Sequence, residues 1–379
     1  MQCSDAPLFT ICILKCAHYL TAFHQSMYTI NIDHFNMANA SNTTESIFRE
    51  DPSIYQEYIL ANNMWLYGSG VIIIFGTIGN LLSGLVMMRK SLQRHTTSFY
   101  LTVLAVVDTA VLYTGLLRYW IRALRGLDIR SLSVASCKIH IFFVYFLMQF
   151  EAWILVWVAV ERLAAIFVPH HAKEMFTKKF ASIQLALTGT TLMALNAHFF
   201  WTKTIVKTYC YTSDDKYSYF VNVIWSWIDF VIASLAPFVL MLSINVAIIA
   251  RLLYLRKLRN LNARADANTR INTMTTILIT VNFMFFVTTA PITIYIGTQK
   301  HWNDQVKTYR DLAKLHLAWA SINMAAYTNF AINFILYCLS GPSFRRELAR
   351  MLHIERWFRK IQPTDRSTGS TALGTIRTN

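Results

Sequence analysis

Seven stretches of this chain run for membrane-crossing lengths almost without charge, and that pattern limits what it can fold into. The charge-poor runs cover 58–88, 98–117, 141–160, 180–202, 217–250, 271–299 and 315–344, interrupted only by Asp108, Glu151 and Asp229. Each holds about 20 residues or more, enough for a helix to cross the hydrocarbon of a bilayer. Over the whole chain 15% of residues are charged and 55% hydrophobic, against about 25% charged in a soluble domain. The runs are continuously apolar, not alternating, which disfavours a membrane β-barrel. Helices remain, because lipid offers the backbone no other hydrogen-bond partner. The expected fold is an all-α, seven-span membrane bundle over 58–340. An N-terminal tail covers 1–57, a short surface helix 341–353, and a C-terminal tail 354–379.

Orientation follows from Lys and Arg. With the amino terminus outside, the three inner loops and the tail hold 20 of the 35 Lys and Arg, in the direction of the positive-inside rule. The strongest cluster is Arg251, Arg256, Lys257, Arg259, Arg264 and Arg270. Asn39-Ala40-Ser41 and Asn42-Thr43-Thr44 are glycosylation acceptors, placing Asn39 and Asn42 on the same outer side. The formal charge of +15 then belongs mostly to an inner rim facing anionic lipid and cytoplasmic partners, and implies no nucleic acid. Cys137 opens the third run and Cys210 lies before the fifth. Both face an oxidising compartment, where a pair forms and persists. Cys338 ends the seventh run as a packed thiol or a lipidation site. Residues 1–20 are short of a basic start for a signal peptide, so cleavage stays open.

The third run ends in Glu161-Arg162-Leu163. Arg162 lies 25 positions after Cys137, roughly 38 Å along a helix and about one bilayer with its interfaces. The cysteine marks one face and the arginine the other. Ionisable groups in such a segment are expensive without a partner or a task. Seven spans, the Cys137–Cys210 pair and the closing Glu161-Arg162 together resemble the rhodopsin-like (class A) G-protein-coupled receptors. So do Gly79-Asn80, Leu104-Ala105-Val106-Val107-Asp108, Pro237, Phe285 with Pro291, and Asn333 with Tyr337. The resemblance covers about 65–352. Thr289, Phe334, Asn245 and Leu163 depart from the family pattern and place the chain in a divergent branch, most like invertebrate peptide receptors, the FMRFamide type among them.

The resemblance implies a receptor, not an enzyme, in the plasma membrane. It implies an extracellular ligand, a heterotrimeric G protein, and arrestin recruited by a phosphorylated Ser/Thr tail. The G-protein switch is expected at Glu161 and Arg162, with Asn245 and Tyr337 as relay positions. Asn80, Asp108, Glu151, Asn329 and Asn333 fall at one depth. They form either a sodium site, the one cofactor implied, or a hydrogen-bonded core with one acid protonated.

Ligand contacts are expected at Arg118, Arg122, Tyr145, Gln149, Asp229, Tyr295 and Asn323. Arg118 and Arg122 share a helix face and either anchor an acidic group or snorkel to headgroups. Asp229 either binds a basic group or pairs with an arginine. Val144 stands where amine receptors of the family carry an aspartate, and span seven has no retinal-linking lysine. A mouth with both charge signs and many aromatics then fits a neuropeptide. The competing class is a seven-span transporter or channel, which would show repeats and broken helices around a midplane site.

Overall fold

A computed structural model describes residues 54–206, 209–259, 305–340 and 342–353, with short pieces between 283 and 302. The described residues are almost entirely helical. Five helices are long and apolar enough to cross a membrane: Gln56–Met87, Thr96–Arg125, Val134–Phe167, Trp225–Leu252 and Tyr309–Leu339. These are the first, second, third, fifth and seventh spans. The fourth helix, Lys178–Asn196, has 19 residues and a lower mean hydropathy. Most of the expected sixth span, the acceptor asparagines Asn39 and Asn42, and the two tails lie outside the described residues. The chain is a multi-pass helical membrane protein.

The third helix is the axis of the bundle. It runs unbroken for 34 residues from the Ser133 cap, whose hydroxyl accepts from Ser136 N at 3.0 Å. Cys137 and Arg162 therefore stand on one continuous helix, as their spacing predicts. One face of it is studded with hydrogen-bonding groups a turn apart. Trp153 Nε1 donates to Ile232 O of the fifth span at 3.1 Å, and Trp157 Nε1 to Thr188 Oγ1 of the fourth helix at 3.1 Å. Ile232 lies in a π-type turn, Phe230–Leu235, one of two in a helical run from Asp215 to Arg259. Such a turn misaligns backbone partners, and here an indole takes up one carbonyl.

The first, second and seventh spans pack through small residues, as close helix contacts in membranes require. Gly79 lies against Phe334, the residue standing where the family has proline, and a Cβ at Gly79 would sit 3.0 Å from Phe334 Cβ. Gly115 lies in the π-type turn Leu112–Leu116 of the second span, where a Cβ would meet Tyr327 Oη at 2.6 Å. The seventh helix continues to Ser340 without a break. Its last carbonyls, Cys338 O and Leu339 O, accept from Arg345 Nη1 at 2.8 and 2.9 Å. Arg345 belongs to the short helix Pro342–Met351, which buries Phe344 and Leu348 and packs Phe344 against Tyr337 at 5.6 Å between ring centroids.

At the opposite end the second helix stops at Gly126, whose φ of 67° is the left-handed conformation glycine adopts without cost. Beyond the fourth helix a two-stranded antiparallel hairpin, β1 (Lys203–Val206) and β2 (Tyr209–Thr212), sets Cys210 opposite Ile205 and Lys203 opposite Thr212. Cys210 is bonded to Cys137, with 5.5 Å between their Cα atoms. The bond pins the hairpin to the top of the third helix.

The tight approach at Gly115 predicts that Gly115→Ala lowers stability by about 1–3 kcal/mol, the usual cost of overpacking. Adding Tyr327→Phe, which removes the nearest atom, recovers part of that loss. Thermal unfolding of the two variants in detergent checks this; an unchanged midpoint for Gly115→Ala is the result that contradicts it.

Candidate functional site

Polar groups gather at three depths of the bundle. At the Arg162 end the expected direct Glu161–Arg162 contact is replaced by a bridge. Thr97, at the start of the second helix, donates its hydroxyl to Glu161 Oε2 at 2.6 Å and accepts from Arg162 Nη2. Among the described residues the two charges form no direct ion pair. Adjacent residues on a helix are turned about 100° from each other around its axis, and here the Thr97 hydroxyl joins the two. Thr97 is held from both sides. Thr96 Oγ1 donates to Phe176 O at 2.6 Å, fixing the segment after the third helix, and the Tyr100 hydroxyl donates to Gln184 Oε1 of the fourth helix. Arg162 Nε is buried with no hydrogen-bond partner. Of the expected relay positions, Tyr337 is buried and its hydroxyl has no partner, whereas Asn245 is half-buried on the fifth span.

Deeper, the structure links Asp108, Glu151, Asn329 and Asn333 of the expected polar core, and Asn80 bonds the seventh-span backbone next to Asn329. Asn333 Nδ2 donates to Asp108 Oδ2 at 2.7 Å, Asn329 Nδ2 to Glu151 Oε1 at 3.2 Å, and Asn80 Nδ2 to Phe330 O at 2.9 Å. Asp108 and Glu151 interact electrostatically, and both are buried. Asp108 Oδ1 and Asn80 Oδ1 are buried acceptors with no donor. Two carboxylates and unmatched amide and carboxylate oxygens form a donor set suited to a hard cation. No basic side chain of the described ion pairs reaches them.

Towards the disulfide, Gln149 joins three helices. Its Nε2 donates to Asp229 Oδ1 at 2.8 Å, and its Oε1 accepts from Asn196 Nδ2 at 2.7 Å. Asp229 is thus held by an amide, and no arginine pairs with it among the described residues. Directly above, Tyr145, Phe199 and Trp225 form an aromatic layer under the Cys137–Cys210 bond, with Tyr145 and Phe199 ring centroids 4.7 Å apart. Tyr295 packs against Trp319 at 5.7 Å, and Asn323 Nδ2 donates to Trp319 O within its own helix at 2.9 Å.

At the mouth Arg118 is buried and its Nε donates to Asp128 Oδ1 at 3.2 Å. It does not snorkel. Asp128 also takes Arg130, with Nη2 to Oδ2 at 2.7 Å. Burial alone would raise the Asp128 pKa, but Arg118 and then Arg130 outweigh it and hold the carboxyl well below its usual range. Arg122 is half-buried and lies near His316, which stacks on Tyr58 at 5.1 Å. The first and seventh spans are further clasped by Arg310 and Glu57 at 3.1 Å.

Thr97, Asn196, Asp128, Arg130 and Lys203 are site residues that sequence reasoning missed. Asp128 and Arg130 carried a signal, since an aspartate accepting from residue i+2 is a common loop motif. Thr97 and Asn196 carried none, because their partners lie 64 and 47 positions away.

The profile of the 7 transmembrane receptor (rhodopsin family) matches residues 79–337. The chain is 24% identical to the human C-C chemokine receptor type 1 over 321 residues, covering 80% of this chain and 87% of that protein. It is 24% identical to the G-protein coupled estrogen receptor 1 of Micropogonias undulatus over 331 residues, 85% of this chain and 88% of the relative. It is also 24% identical to the CX3C chemokine receptor 1 of Rattus norvegicus over 284 residues, 73% and 75% of the two chains. The profile spans well over half of the chain, and its ends fall on Gly79 and Tyr337, two residues already placed in the packed core of the first and seventh spans. The chain belongs to the rhodopsin family of seven-transmembrane receptors.

Proposed function

We propose that this receptor binds a peptide, most closely of the neuropeptide class, at its disulfide end. That end faces the extracellular side of the plasma membrane, and Arg162 at the other end meets the G protein. The observation that carries the ligand class is the construction of the mouth. Charged groups from the second helix, the loop after it and the hairpin (Arg118, Asp128, Arg130 and Lys203) stand above a layer of aromatics and a buried acid, Asp229. A ligand with polar backbone, aromatic side chains and charges of both signs matches that sequence of surfaces. Two relatives are chemokine receptors by name, which supports a peptide, and two, from Micropogonias undulatus and Danio rerio, are G-protein coupled estrogen receptors, so a steroid panel belongs in the same screen. The disulfide supports the orientation, because it persists on the oxidising side. Arrestin recruitment through the Ser/Thr tail is the remaining part of the reading and rests on the family alone.

The resting switch is the Glu161–Thr97–Arg162 bridge. The Thr97 hydroxyl holds Arg162 against the second helix, and transduction requires an alternative place for the guanidinium. At the midplane Asp108 and Glu151, with Asn80, Asn329 and Asn333 around them, would hold a sodium ion. A bound sodium ion would supply the positive charge that two neighbouring buried acids otherwise lack.

Two outcomes check these roles. A hydrogen bond to a charged group contributes about 1.5–3 kcal/mol, so Thr97→Val raises basal nucleotide exchange on a G protein by roughly tenfold. Arg162→Ala in that background abolishes the gain. Basal exchange equal to wild type in both variants, at equal surface expression, removes the switch. For the midplane, sodium raises the unfolding midpoint of the purified receptor by roughly 2–4 °C over potassium. Glu151→Gln loses that increment, and an undiminished sodium effect in this variant excludes Glu151 from the site.

A further inference from the structure

The loop that joins the second and third helices is built inside out. Its charged residues are turned inward. Arg130 is 3% exposed, and the Asp128 carboxylate takes Arg130 Nη2 at 2.7 Å and Nε of the buried Arg118 at 3.2 Å. Its aliphatic residues are turned outward. Leu127 is 45% and Leu132 62% exposed, and Leu124 and Val134, at the helix ends on either side, are exposed with them. A loop bathed in water favours the reverse order, because apolar surface left in water forfeits the main drive to fold.

The inversion is fixed by the backbone. Gly126 turns the chain out of the second helix in the left-handed conformation. Asp128 then caps the short 3-10 turn Ile129–Ser131, with Oδ1 accepting from Arg130 N at 3.1 Å. From the third helix Ser136 Oγ donates to Ile129 O at 2.6 Å. Strand β2, held over the bundle by the Cys137–Cys210 bond, packs against the same turn. Two helices and the hairpin thus enclose the charged side of the loop, and the leucines take the side that these elements leave open.

That open side adjoins surfaces whose partner is lipid. Ile139 and Phe143, one turn apart on the third helix beyond Val134, are exposed, as is Tyr113 on the second helix before Leu124. All of these residues lie in helices long and apolar enough to cross a membrane, where outward apolar side chains meet acyl chains. Arg125, exposed beside Leu124, is placed as basic side chains are at the edge of a bilayer, with the charge among headgroups and the stem along apolar surface.

We infer that this loop is a membrane-docking element, in which Leu124, Leu127, Leu132 and Val134 enter the interface of the phospholipid leaflet at the disulfide end. Lipid removes the penalty of the outward leucines and leaves the inward charges to pair. A docked loop would fix the height of Asp128, and through it of Arg118 and Arg130, at the mouth of the bundle. The continuity with lipid-facing helix surfaces and the flanking arginine favour a bilayer over a second receptor copy or a soluble partner.

Spin labels on the full-length receptor in nanodiscs of phosphatidylcholine and phosphatidylglycerol test this. The background replaces Cys3, Cys12, Cys16 and Cys338 by serine and keeps the Cys137–Cys210 bond. Leu127→Cys and Leu132→Cys are labelled singly, with Val106→Cys, exposed on the second span, as the lipid reference. Lys216→Cys, at an exposed lysine after the hairpin, is the water reference. Each label is relaxed by oxygen, which enters lipid, and by a water-soluble nickel complex. The ratio of oxygen to nickel accessibility at Leu127 and Leu132 is expected to exceed that at Lys216 roughly tenfold and to approach that at Val106, because apolar surroundings exclude the polar complex. A ratio equal to that of Lys216 at either leucine overturns the docking, and places the loop in water or under a soluble partner. Spin–spin broadening that disappears on dilution with unlabelled receptor also overturns it, in favour of a second copy. The inference needs only a membrane-spanning chain, and neither ligand nor G protein enters the test, so the receptor reading stands or falls separately.

Discussion

A charge placed in a helix that crosses lipid has no water to fall back on, and the arrangement of this bundle follows from how each such charge is met. Arg162 and Glu161 are met by one threonine hydroxyl, Glu151 by an asparagine, Asp108 by another, and Asp229 by a glutamine. None of these partners belongs to the same helix as the charge it serves. Each of these five groups is therefore also a tie between helices, and removing the partner of a buried charge leaves it uncompensated, which costs several kcal/mol. The third helix carries three of these five acids and bases, and it is the most enclosed of the five long apolar helices among the described residues.

Much of this frame was legible before any coordinates. The seven charge-poor runs identify the spans because a helix needs a minimum length to cross the hydrocarbon, and no tertiary contact alters that. The distance between Cys137 and Arg162 was readable for the same reason, since a single helix fixes its own rise. The convergence of Asn80, Asp108, Glu151, Asn329 and Asn333 came from counting depth along helices. What depth cannot give is azimuth. Asp229 was open between a basic group and an arginine because its partner depends on which way the third and fifth helices are turned toward each other. The answer, Gln149, lies 80 positions away. Thr97 was invisible for a further reason: a threonine in a helix ordinarily bonds back to its own turn, as Thr102, Thr109 and Thr114 do here. Only tertiary placement separates it from them.

The departures from the family pattern acquire a physical meaning once the packing is seen. With Phe334 in place of proline the seventh helix runs unbroken to Ser340, and the extra ring is accommodated by Gly79. The seventh span gives up the compliance that a proline would supply. Irregularity appears elsewhere, in π-type turns of the first, second and fifth spans at Met64–Gly68, Leu112–Leu116, Phe220–Ile224 and Phe230–Leu235. In such turns the backbone can change its bonding without breaking a whole helix.

That shift locates where a signal would have to pass. Gln149 and Trp153 lie one turn apart on the third helix, and they hold Asp229 at 2.8 Å and Ile232 at 3.1 Å on the fifth. Those two contacts bracket the start of the π-type turn at Phe230. A fifth span that moves relative to the third must break both, and the turn between them is where the backbone can yield. From Gln149 the same helix leads, through Glu151 and its asparagine, to Glu161 and Arg162. The helix that joins the disulfide end to the Arg162 end is unbroken, whereas the fifth span beside it carries the π-type turn. The unbroken seventh helix holds Asp108 and Glu151 through Asn333 and Asn329.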